Sequence, residues 1–260
     1  MNNSLLHSFG TYIDLILRSL RRWPDNIALV DKNNELSYQQ LEQRIMSYAA
    51  TLEDLGLKKG DGLAQLASNR ADAFVVMAAA LLHGIKYTPL HPLGSLEDQI
   101  YILADADINA LVIDVPVFAE RGAALADRSE VDHVLTLGPA DFGSDLTELA
   151  KEQSSDAIVP AAQADDIAWV SYTGGTTGQP KGVMLTHTGL LQFAKVSSES
   201  RQLGKADRSY AYLPMTHIFG LGTVLMASIF ARSGLLMRSQ FDPADVFEAL
   251  AHQGMTQLQG

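Results

Sequence analysis

The chain contains no cysteine, which excludes thiolate metal ligands, a cysteine nucleophile and disulfide staples and fits a cytoplasmic, reducing setting. It is also short of positive charge. Nineteen Lys and Arg stand against thirty Asp and Glu, and the resulting net charge of −11 argues against a nucleic-acid partner, because phosphate contacts need a basic footprint. Long apolar runs are missing too. The most membrane-like stretch, residues 220–231, is interrupted by Gly222, Thr223 and Ser228 and stops at Arg232, short of the roughly 20 residues that span a bilayer. It reads as a buried core helix, so no transmembrane segment is expected. The start, MNNSLLHSFG, lacks the basic flank and apolar stretch of a secretory signal. His83, His91, His133 and His187 show neither an HExxH pattern nor close helical pairing, so no metal site is expected.

What is present is ample core material: 260 residues, 47% of them hydrophobic, enough for one large or two modest domains. Ile13, Leu17 and Leu20 share one face of an amphipathic helix that Trp23-Pro24 ends. Residues 27–30 and 35–38, joined by Asp31-Lys32-Asn33-Asn34, read as a hairpin. Ser37 and Gln40 form a capping box for a helix with Leu41, Ile45, Tyr48, Ala49 and Leu52 on its inner face. Strand and helix then alternate: a strand over 63–67, an Asn69 cap, a helix over 71–82 stopped by Gly84, an extended 87–90, a helix from Ser95, and strands at 110–113 and 131–137. That alternation implies parallel crossovers and an α/β fold of parallel-rich sheets flanked by helices. Residues 141–164, rich in acidic and small polar side chains, are expected to wind over the surface and to hold a connection between lobes. A strand over 167–172 and another over 182–185 flank a Gly/Thr-rich loop, and Thr186 or Thr188 caps a helix over 190–199.

That loop is the most informative stretch. From Thr173 to Gly182 it packs four glycines, three threonines and a lysine into ten positions. Glycines let backbone N–H groups approach oxyanions, hydroxyls add donors, and an ammonium offsets charge. A plain turn with a solvated lysine is the alternative, but a turn needs only one or two glycines. It is not a Walker A loop, since Lys181 follows Gln179-Pro180 and a strand rather than a helix comes next.

Residues 172–183, reading YTGGTTGQPKGV, resemble the signature loop of the adenylate-forming superfamily of acyl- and aryl-CoA synthetases and nonribosomal peptide adenylation domains. Residues 36–41, LSYQQL, resemble that family's first motif, residues 82–92, LHGIKYTPLHP, its second, and residues 213–220, LPMTHIFG, the segment bordering the acyl pocket of CoA ligases. The resemblance runs along essentially the whole chain. Family members are commonly about twice as long, and the adenine-stacking motif, the ribose-binding aspartate, the hinge and the carboxy-terminal lysine have no counterpart here. The resemblance therefore implies an amino-terminal portion of an adenylating enzyme: a first lobe segment over 1–55, an α/β lobe over 56–205 that carries the phosphate loop, and a return to the first lobe with the acyl-pocket region over 206–260.

Carried over to this sequence, the resemblance implies that Thr173, Gly174, Gly175, Thr176, Thr177, Gly178 and Lys181 hold the β- and γ-phosphates of ATP, with Thr176, Lys181 and His217 closest to the chemistry. His217, in a loop after an apolar strand over 210–213, would orient the acyl carboxylate at the pocket entrance, where open α/β sheets bind ligands. Phe219 and Met226 would line the acyl pocket, whereas Leu225 reads as core. No aspartate lies between Leu213 and Gly220, which disfavours an amino-acid substrate. The implied activity is ATP- and Mg2+-dependent activation of a fatty or aryl acid followed by transfer to coenzyme A. A carrier-protein thiol as acceptor, and a noncatalytic nucleotide-binding fragment, are the alternatives. A homodimer or a missing carboxy-terminal region is the expected partner.

Overall fold

A computed structural model of the chain describes residues 10–31, 34–174 and 178–259. Helix α1 (Tyr12–Arg22) starts at a Thr11–Asp14 capping box and buries Ile13, Leu17 and Leu20. The hairpin β1 (Ile27–Asp31) and β2 (Asn34–Ser37) follows, and Ser37 and Gln40 cap α2 (Tyr38–Asp54). Tyr38 is thus the first residue of the helix rather than the last of the hairpin. Its five expected inner residues are all buried.

From there β3 (Gly62–Leu66), α3 (Ala71–Leu82), β4 (Lys86–Pro89), α4 (Leu96–Asp105), β5 (Ile108–Ile113), α5 (Val115–Arg128) and β6 (His133–Thr136) alternate; the sequence reading named each of these elements except α5. Short β7 (Ser144–Asp145) and α6 (Leu146–Leu149) precede the antiparallel pair β8 (Ile167–Thr173) and β9 (Lys181–Thr186). Helix α7 (His187–Ser200), capped by Thr186, leads to β10 (Arg208–Ala211), a π-helical stretch (Phe219–Met226), α8 (Ala227–Ala231), β11 (Gly234–Met237), α9 (Pro243–His252) and β12 (Gln257–Leu258).

The strands form two sheets, ordered β7-β6-β5-β3-β4-β8-β9 and β12-β10-β11-β1-β2, parallel except at β8–β9 and β1–β2. Helix α3 buries every residue but Asp72 and touches β4 on one side and β1 on the other, so it lies between the sheets. An all-apolar helix needs such two-sided cover. One core cluster runs through α1, α2, α3 and the inner faces of both sheets, so the two sheets share a core. Val30, Tyr210 and Leu236 on the outer face of the smaller sheet pack with Val246 and Ala249 of α9. Among the described residues no helix is long and apolar enough to cross a membrane.

Three expectations are corrected. Asn69 does not cap α3: the cap position is Arg70, and the free N–H of Ala71 donates instead to Asp31 Oδ2 at the end of β1, 3.0 Å away. Residues 141–164 do not join two lobes. They run from β7 to β8 within the larger sheet, and Leu146 and Ala150 anchor them in the core. Finally, the apolar stretch before Arg232 is buried as expected but is wound as a π-helix before it becomes α-helical, and the Phe193 ring packs where a side chain on Gly222 would stand. Helix α7 itself packs on that stretch and on α8, tying the two sequence-defined lobes together.

Candidate active site

Strand β8 runs parallel to β4, so the loop after Thr173 opens at the carboxyl end of the larger sheet. The ladder places Tyr172 opposite Gly182 and Thr173 opposite Lys181. Lys181 is therefore the first residue of β9 rather than a loop residue. Its backbone is held by the ladder, and its exposed side chain stands beside that of Thr173 at the mouth of the loop. Among the described residues, chain neighbours aside, no atom lies within 4 Å of where a Cβ on Gly174 or Gly178 would sit, and Gly178 adopts φ +124°, a conformation that favours glycine. Both backbones lie open to a ligand. Gly175, Thr176 and Thr177, three of the expected phosphate-binding residues, lie outside the described residues.

The sequence reading gave no role to the residue that fixes this hairpin. The Tyr172 ring lies over Gly182, where a Cβ would come within 3.1 Å of it. Its phenol donates to Asp105 Oδ2 at 2.6 Å, and Tyr101 donates to the other oxygen at 3.1 Å. Burial, then the hydrogen bond and charge of Asp105, push the Tyr172 phenol above its ordinary pKa, so it stays a donor. The end of α4 is thereby tied to the hairpin two residues before the first open glycine. The pairing of a large ring opposite a glycine across two strands is the sequence signal that marks it.

At the carboxyl end of the smaller sheet β10 stops at Ala211, two residues earlier than expected, because Asn69 takes over the next backbone groups. Its Nδ2 donates to Ala211 O at 3.1 Å and Leu213 O at 2.8 Å, and its Oδ1 accepts from Met215 N at 3.0 Å. A side chain from the end of β3 thus clamps the segment that carries His217. The short polar run Ser68-Asn69-Arg70 after a buried strand is the signal available in the sequence, since ligand crevices form at such strand ends. Beside Asn69, Asp114 is fully buried, accepts from Ser68 N and Oγ at 3.1 and 2.6 Å and pairs with Arg70 at 2.7 Å. These residues line a cavity of about 570 Å3 where the carboxyl ends of the two sheets meet.

His217 is exposed, and its Nδ1 accepts from Phe219 N at 3.2 Å. With Nδ1 accepting, the neutral ring carries its proton on Nε2, which is then a donor. Phe219 is 42% exposed at the start of the π-helical stretch. Met226, expected to line the acyl pocket, has no exposed surface and belongs to the main core together with Leu225. The loop after β8 and the segment with His217 and Phe219 after β10 thus both follow the carboxyl ends of strands, one in each sheet.

The family model described as "AMP-binding enzyme" matches residues 16–260. The chain belongs to that family. It is 31% identical over 251 residues to the medium/long-chain-fatty-acid–CoA ligase FadD8 of Mycobacterium tuberculosis, covering 93% of this chain and 43% of that protein. Among solved structures it is similar to ATP-bound MatB of Rhodopseudomonas palustris, with a TM-score of 0.83 and 29% identity over 95% of this chain and 49% of that one. It is also similar to the O-succinylbenzoate coenzyme A synthetase MenE of Bacillus subtilis in complex with ATP and magnesium, with a TM-score of 0.79 and 25% identity over 94% and 62%. The fold is that of the amino-terminal domains of adenylate-forming ligases. The chain spans less than half the length of the curated relative and of MatB.

Proposed function

We propose that this chain carries the triphosphate- and carboxylate-binding part of an ATP-dependent, AMP-forming acid–thiol ligase whose acid is a fatty or aryl acid. In the first half-reaction a carboxylate oxygen attacks the α-phosphorus of ATP. The bond to the β-phosphate's bridging oxygen breaks, and pyrophosphate leaves with the electron pair. No proton need be removed, since a carboxyl of pKa about 4 is ionised at neutral pH. Coenzyme A sulfur then displaces AMP from the mixed anhydride. The cytoplasm, where ATP and coenzyme A are at hand, is its setting, and the remaining polypeptide of the enzyme is the partner we expect on the exposed apolar surface around β9.

The observation that carries this reading is the pinned β8–β9 hairpin, with Thr173 and Lys181 paired at its mouth and open glycine backbone beyond them. In it Thr173, Gly174, Gly178 and Lys181, with Gly175, Thr176 and Thr177, stabilise the charge that builds on the departing pyrophosphate. His217 donates from Nε2 to the acyl carboxylate, and Phe219 borders the acyl chain. Among the described residues no group of three or more His, Asp or Glu gathers that would hold a metal ion.

The test is carboxylate-dependent ATP–pyrophosphate exchange with a panel of aliphatic and aromatic acids, run on the 260-residue chain and on the product of the reading frame that contains it. Exchange with a fatty or aryl acid, reduced by Lys181→Ala by about 10- to 150-fold as expected for a hydrogen bond to a charged group, supports the reading. Exchange that ignores the substitution removes the phosphate role from Lys181, and no exchange by either protein with any acid overturns the proposal.

A further inference from the structure

At the amino-terminal end of the smaller sheet, away from the phosphate hairpin, lies a groove of about 360 Å3 whose walls include Asp25, Lys205, Asp207, Arg208 and Arg232. The acidic chain concentrates three cations there. Asp207 is occupied within its own loop, with Oδ2 accepting from Gly204 N and Oδ1 from Thr256 Oγ1, both at 2.8 Å. Arg208 gives one guanidinium N–H to Gln253 O at 2.7 Å. The other two cations are less committed. Lys205 Nζ rests 5.4 Å from the centre of the exposed Trp23 ring, a contact that holds weakly at a wet site. Among the described residues the half-buried Arg232 guanidinium has neither a hydrogen-bond nor an ion-pair partner.

Arg232 is also in an expensive place. It closes α8 with φ 61° and ψ 31°, the left-handed cap that glycine takes at least cost. Its backbone bonds to Ile229 O and Ser228 O would form equally well from glycine, so the cap itself does not call for the side chain. We infer that this groove is a binding site for a small phosphate-bearing polyanion, gripped by Arg232 and Lys205 with Arg208 beside them. The carboxylates of Asp25, exposed on the rim, and of Asp207, bonded only to neutral groups, both oppose such a ligand and limit its affinity. The site is separate from the hairpin, because it sits at the starts of β1, β10 and β11 whereas the hairpin opens at the carboxyl end of β8.

The Trp23–Lys205 contact supplies a readout. Pyrophosphate titrated into the 260-residue chain at fixed ionic strength is expected to draw Lys205 off the ring and change Trp23 emission saturably, with Trp23→Phe removing the signal. Arg232→Gly is expected to weaken binding at least ten-fold while raising the melting temperature, a pairing that simple damage to the fold would not produce. Asp25→Asn should tighten binding, and Lys181→Ala should leave it unchanged. A signal that fails to saturate, that survives both Arg232→Gly and Lys205→Gln, that is matched by chloride at equal ionic strength, or that disappears with Lys181→Ala overturns the inference.

Discussion

His187 begins α7 directly after the phosphate hairpin and is fully buried, with no hydrogen-bond partner for either ring nitrogen among the described residues. Burial lowers its pKa from the ordinary 6.5 to about 4. Asp166 and Asp14 oppose that shift, and Lys59 adds to it. The folded protein thus refuses a proton that the unfolded chain accepts. Stability from this group is complete above pH 6.5 and is lost as pH falls through the window from 6.5 to about 4. Worked through the linkage relation, the loss is about 2 kcal/mol between pH 7 and pH 5 and about 3 kcal/mol by pH 4. The assay is urea denaturation of the wild type and of His187→Leu at these pH values, with the midpoint and slope converted to unfolding free energy. Other groups titrate in both proteins, so only the difference in pH slope is assigned to His187. The variant should fall less steeply by the amounts given, whatever its stability at pH 7. Parallel curves for the two proteins would refute the argument, because they would mean that the imidazole finds the same proton affinity folded and unfolded.

The hairpin lock gives a second expectation: Tyr172→Phe keeps the ring over Gly182 but loses the bond to Asp105, costing about 1 kcal/mol in thermal unfolding and raising the KM for ATP more than it lowers kcat in the intact enzyme. An unchanged KM would separate Tyr172 from phosphate binding. Asn69→Ala leaves Leu213 O and Met215 N without this partner, while Ala211 O keeps its bond from Arg238 N, and should destabilise the chain by about 2 kcal/mol in urea titration. On the outer sheet edge Val183 and Met184 of β9 are 46% and 67% exposed, with Phe193 and Val196 of α7 also exposed nearby in sequence, so the isolated chain should self-associate in ultracentrifugation and Met184→Lys should reduce that.

Much of this fold is legible because its signals are local. The capping box at Ser37, the buried faces of α1 and α2, the all-apolar α3 and the Gly84 stop each follow from spacing within one helical turn or one cap. The phosphate loop is legible for the same reason, its glycines, threonines and lysine being contiguous. What escaped the sequence reading is non-local. Asn69 looks like a cap because its neighbours in sequence begin a helix, yet its partners lie some 140 positions away. Asp31 caps that helix from a strand forty residues earlier. Tyr172 and Asp105 are joined by a contact across 67 residues that no periodicity announces.

Those same long-range bonds organise the candidate site. A parallel sheet fixes the direction of its strands but leaves their carboxyl ends as separate loops, each free to drift unless some side chain crosses between them. Here the crossings are made by Asn69 to the His217 segment, Asp31 to the start of α3, Asp114 to Ser68 and Arg70, and Asp105 to the phosphate hairpin. Each is a short polar side chain at an element's end, and each bonds backbone groups or a partner anchored on another strand or helix. An active site that aligns a carboxylate with an α-phosphorus needs loops held to fractions of an ångström, since misplacement of about 1 Å costs on the order of a hundred-fold in rate. The residues proposed to bear the chemistry were named from two separate motifs, 172–183 and 213–220, whereas the four polar clamps between the strand ends are assembled only in the folded chain.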